Sequence, residues 1–411
     1  MRLVGAGPGG PDHPAGPDHL AGPRRVAITG VGVVSCCGIG KDAFWEGLCG
    51  PAPDGERRVH QFDPTVWFGP KEVRQVDRFA QLAMAAATQA LDDAGKVGAD
   101  PDRAGVIIAT GVGGVQTWED QVAVFLERGA RRVSPRLIPM MMPNAGAATV
   151  SMRLGWRGPC EITGTACAAG THAIGNAARM IASGRCQVML AGGSEASMTP
   201  VAIAGFANMT ALSTSGVSRP FDLERDGFVV AEGSAVLLLE DLERARQRGA
   251  RIYGEITGAA STADAHHITA PSPGGAGAAA CMELALFDAG LEAGDVGHIN
   301  AHGTATPPND AAEADAITKV FGAPGPPVTS IKGVTGHALG AAGAIEAVAS
   351  VISLERGLIP PTANFHTPDP NMRIDLVVGS PRPWAPAPVL SNSFGFGGHN
   401  GCLVIAPVGA S

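Results

Sequence analysis

One tyrosine and five tryptophans are all the chain offers beyond its phenylalanines. That scarcity excludes the rows of stacking aromatics that grip single-stranded nucleic acid. Charge is scarce too, at 17 % of residues, and the balance is −8 at neutral pH. An acidic chain of this kind is no polyanion binder, so nucleic acid is not expected as a partner. No uninterrupted apolar run approaches the roughly 18 residues of a membrane-spanning helix, so no membrane partner is expected either. The eight cysteines, at 36, 37, 49, 160, 167, 186, 281 and 402, contain no Cys-x-x-Cys spacing. That excludes a zinc ribbon or dithiol redox motif and suits reduced thiols in a cytoplasm.

What the chain has in excess is small residues. Its 57 glycines and many alanines point to tight turns and close helix–sheet packing. A length of 411 residues allows one large core or two fused domains. Residues 1–23 are rich in Gly, Pro, Asp and His and lack the apolar stretch of a signal peptide. They read as a disordered extension.

Apolar runs then alternate with Ala-rich segments. Strands are expected at Arg24–Gly32, Ala104–Thr110, Gln187–Gly192, Ala235–Leu239, at the run ending in His298-Ile-Asn300, and at Pro327–Lys332. Helical spacing runs from Asp77 to Asp93, from Ala168 to Ser183, and from Gly333 to about Leu354. This is an α/β pattern with sheets covered on both faces. The rhythm repeats, which suggests a duplicated unit with halves at 24–256 and 257–411.

Cys167 lies in Ile162-Thr-Gly-Thr-Ala-Cys-Ala-Ala-Gly-Thr-His172, between an expected short buried strand and a helix. A sulfur there sits near unpaired N–H groups and the positive end of the helix dipole, a field that favours the nucleophilic thiolate. Four further patterns accompany it: Asn300-Ala-His-Gly-Thr-Ala-Thr306; Lys332-Gly-Val-Thr-Gly-His337 with Glu346 beyond; Phe394-Gly-Phe-Gly-Gly-His399; and Arg219-Pro-Phe-Asp-Leu-Glu-Arg225. Histidines in Gly-flanked loops after strands are poor core residues, and such loops are where α/β folds place function.

Together these motifs, from about Arg25 to Pro407, resemble the β-ketoacyl-acyl carrier protein synthases of the elongating, Cys-His-His branch. The resemblance implies a thiolase-like fold, two duplicated halves stacked in α-β-α-β-α layers. It implies a decarboxylative Claisen condensation of malonyl-acyl carrier protein with an acyl chain held on Cys167. The backbone N–H groups of Cys167 and Phe396 would form the oxyanion hole. His302 and His337 would stabilise the enolate left by CO2, and which of them takes a proton stays open. Lys332 would pair with Glu346 and orient His337. Thr304 and Thr306 would hold the pantetheine arm. Phe394, Phe396 and Phe206 would line and gate the acyl pocket.

Val112, Met140 and Met141 fall in segments resembling that pocket; the two methionines read more readily as core packing. Lys71, Arg74, Arg131 and Arg132 fall in segments resembling the docking surface for an acidic carrier protein. Thr210 stands where the family often has a docking arginine, and His399 where it often has threonine. No cofactor and no metal are implied. Partners would be acyl- and malonyl-loaded carrier protein, within a homodimer or a heterodimer with a chain-length-factor subunit. Fatty acid elongation is the expected setting, with a type II polyketide setting as the alternative. A non-catalytic chain-length factor usually replaces the cysteine, and a thiolase does not need this histidine pair.

Overall fold

The computed structural model describes residues 23–409 apart from residue 54, so the expected N-terminal extension lies, but for Pro23, outside the described residues. The first half supplies β1 (Val26–Ser35), β2 (Ala104–Ala109), β3 (Cys160–Glu161), β4 (Val188–Glu195) and β5 (Gly233–Asp241). The second supplies β6 (Gly254–Ala263), β7 (His298–Asn300), β8 (Pro327–Thr329), β9 (Val389–Gly395) and β10 (His399–Ala406). The spatial order is β3-β2-β4-β5-β1 in one and β8-β7-β9-β10-β6 in the other. In each row the first three strands are parallel and the last two join antiparallel. Identical order and sense mark a duplicated unit. Three antiparallel pairs, Val26–Ile28 with Gly254–Ile256, join the two rows. The second unit therefore opens with β6, and the division expected at 256/257 falls inside that strand.

The helices covering these strands are α1 (Arg78–Ala94), α2 (Val115–Arg128), α3 (Ala169–Ala182), α4 (Pro200–Asn208), α5 (Ala276–Ala289), α6 (Pro307–Phe321) and α7 (Ala342–Arg356). Strand side chains alternate between two cores, as a period of two demands. Val106, Ile108, Val188, Leu190, Val236 and Leu238 pack with α1. Their neighbours Ile107, Met189, Leu237 and Leu239 face α3 and α7 instead. In the second half Val389, Leu403 and Ile405 face that same central pair, while Leu390 and Val404 face α5 and its neighbours. The result is five layers, α-β-α-β-α, the architecture expected from the sequence.

Local chemistry explains the elements. Asp77 caps α1, its side chain accepting from the Phe79 N–H at 3.1 Å. Gly95, at φ 71°, ends it. Between the central helices, a Cβ on Gly170 of α3 would meet the Ala344 nitrogen of α7 at 2.7 Å. Only glycine lets them cross so closely. This crossing brings the segments before α3 and α7, which occupy equivalent places in the two halves, to one point.

Two local expectations change. The strand before Cys167 is the two-residue β3, exposed at the sheet edge rather than buried. The helix expected from Gly333 begins at Ala342, after a short helix at Lys332–Thr335 and a 3-10 turn at Leu339–Ala341. Gly336, at φ 67°, breaks it. His337 then pairs as an extended residue: its N–H donates to the Val229 carbonyl at 2.7 Å, and its carbonyl accepts from Ala231 at 3.0 Å. A backbone so engaged cannot be helical. Glu346 is on α7, whereas Lys332 and His337 precede it.

Among the described residues no helix is long and apolar enough to cross a membrane. One buried group carries a stability prediction. Among the described residues neither ring nitrogen of His298 has a partner, and its ring meets Trp384 edge-on at 5.7 Å. Burial pushes its pKa down to about 3. The folded state thus holds it neutral, and the stability this confers is complete above pH 6.5 and drains as pH falls toward 3. The expected slope is about 1.4 kcal/mol per pH unit for this proton. Urea unfolding of His298→Phe at pH 7 and pH 5 is expected to show a loss on acidification smaller than the wild type's by about 2 kcal/mol, that slope taken over the roughly 1.5 units below 6.5. An equal loss in both proteins would refute the assignment.

Candidate active site

After β3 the chain runs without regular structure to Thr165 and turns sharply at Ala166, whose φ of 48° is costly for a residue with a side chain. That turn lifts Cys167 toward a cleft of about 630 Å³. The thiol is only 7 % exposed and packs among Met198, Phe228, Val230 and Leu339. Burial pushes its pKa up to about 12, against the opposing pull of Lys332 and of the Phe396 N–H. Burial therefore works against the thiolate expected from the strand-to-helix turn.

His337 places Nε2 3.1 Å from the Cys167 sulfur, while its Nδ1 is buried with no partner among the described residues. Its ring stands edge-on to Phe228 at 5.2 Å and to His302 at 5.4 Å. Donor atoms of Cys167, His302 and His337 all lie within 4.8 Å of one another. Burial and the nearby Lys332 charge hold both histidines well below the usual imidazole range, so both are neutral.

His302 follows β7 in a loop fixed from two sides. Glu313, on α6, accepts from the backbone N–H groups of His302 at 2.8 Å and Gly303 at 2.7 Å. Lys332 Nζ lies 3.3 Å from His302 Nδ1 and 2.5 Å from the His302 carbonyl, and it pairs with Glu346. An ammonium only donates, so Nδ1 accepts and His302 carries its proton on Nε2. The Lys332–Glu346 pair is therefore as expected, but its target is corrected. Lys332 hydrogen-bonds His302 and not His337, because the short helix it opens turns its side chain under the β7 loop.

The hairpin joining β9 and β10 carries Phe394, Phe396, Gly397 and Gly398, the two glycines at φ 84° and 73°. Phe394 meets His302 edge-on at 5.9 Å. A Cβ on Gly395 would meet the Cys167 nitrogen at 2.9 Å, so only glycine lets this strand reach the nucleophile's backbone. Thr304 and Thr306, with hydroxyls 2.9 Å apart, line the cleft together with Phe394, Phe396 and Thr210.

Other expected residues lie further out. Phe206 stands edge-on to Phe228 at 5.6 Å. With Val112 and residues of α2 and α4 it lines a second, apolar groove of about 670 Å³. Met209 lines both spaces. Met140 and Met141 back onto Gly113 and Gly114 and line neither. Lys71, Arg74, Arg131 and Arg132 are exposed away from the cleft lining. His399 sits at the hairpin base, outside the cleft lining. Sequence reasoning passed over Glu313, whose only signal was an acid on an Ala-rich helix face. Burial pushes its carboxyl up to about 7. It also passed over Glu195, which accepts from the Gly111 and Gly340 N–H groups at 2.7 and 3.2 Å and so ties the two halves together.

A buried thiol and two neutral imidazoles, held where duplicated halves meet, define a thiolase-fold enzyme built for thioester chemistry. Residues 23–245 match the family model described as beta-ketoacyl synthase, N-terminal domain, and residues 253–366 the corresponding C-terminal domain. The 3-oxoacyl-[acyl-carrier-protein] synthase 2 of Synechocystis sp. is 45 % identical over 92 % of this chain and 96 % of its own length. The protein of that name in Vibrio harveyi is 41 % identical over 94 % and 99 %. The solved ishigamide ketosynthase/chain length factor superposes with a TM-score of 0.89 at 33 % identity, covering 94 % of this chain and all of that one. A beta-ketoacyl synthase from Burkholderia phymatum gives 0.87 at 34 % over the same shares. The chain belongs to the β-ketoacyl synthase family and is a ketosynthase, an enzyme of the acyltransferase type.

Proposed function

We propose that this ketosynthase elongates acyl chains on acyl carrier protein in fatty acid synthesis, as a 3-oxoacyl-[acyl-carrier-protein] synthase. The Cys167 sulfur 3.1 Å from His337 Nε2, beside a His302 held with its proton on Nε2, carries this reading. Cys167 attacks the acyl thioester and its proton leaves through His337 to the departing carrier thiol. A new C–S bond forms as the old one breaks, with the oxyanion facing the Cys167 and Phe396 N–H groups. Malonyl-acyl carrier protein then loses CO2. The enolate oxygen receives hydrogen bonds from neutral imidazole, His302 donating through Nε2. The carbanion attacks the acyl carbonyl, the C–C bond forms, and the Cys167 sulfur leaves as thiolate and takes one proton from solvent. Thr304 and Thr306 receive the pantetheine arm, while Phe394, Phe396 and Phe206 gate the chain toward the groove at Val112, with Met140 and Met141 behind its wall.

The halves act as one catalytic body, Cys167 coming from the first and both histidines from the second. The apolar groove, with Trp118, Val122, Leu126 and Val201 exposed beside it, supports a two-chain assembly. The exposed Lys71, Arg74, Arg131 and Arg132 suit an acidic carrier protein. Eight free thiols support a reducing, cytoplasmic setting. Likeness to a ketosynthase/chain length factor supports a second, polyketide reading; the higher identity to the synthase 2 relatives favours fatty acid elongation.

Intact-mass measurement of the purified chain tests the choice. It is incubated with acyl-carrier proteins of graded length and then with malonyl-carrier protein. An acyl adduct on Cys167 that discharges as 3-oxoacyl product is expected. An adduct formed only when a chain-length-factor subunit is added would move the protein to the polyketide reading.

A further inference from the structure

His172 lies on α3, one turn beyond the nucleophile, and is 8 % exposed. Its Nε2 is 3.1 Å from the carbonyl oxygen of Asn400. A carbonyl only accepts, so Nε2 carries a proton. Burial holds this imidazole below its usual pKa, and therefore neutral. Its Nδ1 is then an acceptor, and the Thr165 hydroxyl, 2.7 Å away, donates to it. The direction of the whole chain is settled: Thr165 O–H to Nδ1, Nε2–H to the Asn400 carbonyl.

The two ends of that chain are not arbitrary. The Thr165 carbonyl accepts from Ala168 at 3.1 Å and so closes the turn that presents Cys167. Asn400 pairs with Phe394 across the β9–β10 hairpin, whose tip carries Phe396. The Gly401 backbone also packs on this ring, where a Cβ would meet Nε2 at 2.8 Å. One imidazole thus ties the segment bearing one oxyanion donor to the base of the segment bearing the other. The two segments come from opposite halves of the chain and meet again at Gly395.

We propose that His172 is a positioning residue that sets the spacing between the Cys167 and Phe396 N–H groups, so that both reach one oxyanion. The inference rests on the ketosynthase reading of Cys167. Misplacing a donor forfeits much of what losing it would, and the loss of one oxyanion donor typically costs about 10²–10³-fold. The effect is confined to steps that pass through a tetrahedral oxyanion. Decarboxylation of the malonyl thioester passes instead through an enolate served by His302 and His337, neither of which touches His172.

The experiment separates these partial reactions. Acylation of Cys167 is followed by intact mass, and CO2 release from malonyl-acyl carrier protein is followed independently. His172→Phe is expected to slow acylation at least ~10-fold while leaving CO2 release within about two-fold. His172→Gln, which can restore a donor to Asn400, is expected to recover part of the rate. Thr165→Val tests the other end without altering the ring, and the double variant is expected to be no slower than the worse single one, since both break one chain. If both reactions fall together in His172→Phe and in Thr165→Val, the role is structural and the proposal fails. Unchanged acylation in either variant also overturns it. A wild-type chain that never acylates Cys167 would instead defeat the ketosynthase reading beneath it.

Discussion

Cys167→Ala is expected to abolish the acyl adduct and to lower condensation by roughly 10⁴-fold or more, the scale on which removal of a nucleophile acts. The same variant is expected to keep releasing CO2 from malonyl-acyl carrier protein. The two outcomes follow from different parts of the site. Acyl transfer needs a sulfur that forms a bond. Decarboxylation needs a donor at the enolate oxygen, and His302 owes its tautomer to Lys332 and its loop position to Glu313, not to Cys167. The fold is expected to survive, because removing one buried sulfur atom costs only about 1–2 kcal/mol. Cys167→Ser sharpens the test. A hydroxyl fits the space and can hydrogen-bond His337, yet it is far less nucleophilic than a thiol. Condensation is expected to stay below wild type by about 10³-fold or more. Intact mass and CO2 trapping on the same samples decide the matter, and full condensation by Cys167→Ala would defeat the mechanism.

The thiol's own pKa sets how the wild type responds to pH. With the sulfur held up to about 12 by burial, little free thiolate exists at neutral pH. On the proposed mechanism the proton moves to His337 as the new bond forms. The dipole of α3 favours the anion, whereas burial among Met198, Phe228 and Leu339 favours the thiol. Those three residues are far from Cys167 in sequence, which is why a local reading of the strand-to-helix turn favoured thiolate.

The same distinction governs what was legible elsewhere. Alternating and Ala-rich runs marked most of the main strands and helices, because period and composition are local. Cys167, His302 and His337 stood out because each sits among small residues in a loop where bulky packing is absent. The partners that give them their chemistry did not stand out. Lys332 faces His302 rather than its near neighbour His337, because Gly336 redirects the chain between them. Glu313 reads as one more acid on a helix until α6 is laid beside the β7 loop. His172 reads as a helix residue until Asn400, 228 positions away, is brought to its ring. Backbone acceptors leave no trace in a side-chain pattern, so hydrogen bonds that end on them are invisible before the fold is known.

Lys332→Met should be the most damaging change outside the nucleophile, and for two separable reasons. Lys332 and Glu346 are both almost fully buried, at 1 % and 2 % side-chain exposure. Removing the cation leaves a carboxylate with no counter-charge, and breaking a buried pair in this way costs about 3–5 kcal/mol. Burial already pushes the Glu346 carboxyl up to about 7 against the pull of Lys332, and without Lys332 it rises further. A carboxyl whose folded pKa exceeds its unfolded value is tolerated at low pH and penalised as pH rises through the folded value. The variant is therefore expected to lose more stability at pH 8 than at pH 5.5. Adding Glu346→Leu removes the stranded charge and is expected to restore most of that stability and to flatten its pH dependence. It cannot restore chemistry. His302 Nδ1 then has no donor, the ring is free to carry its proton on either nitrogen, and its loop loses the Lys332 contact to the His302 carbonyl. CO2 release is expected to remain down by about 10²-fold in the double variant, the loss typical of one misdirected donor. Urea unfolding at the two pH values and CO2 release together separate the effects. Recovery of decarboxylation along with stability would mean that Lys332 serves the fold alone and that the His302 tautomer is held by something else.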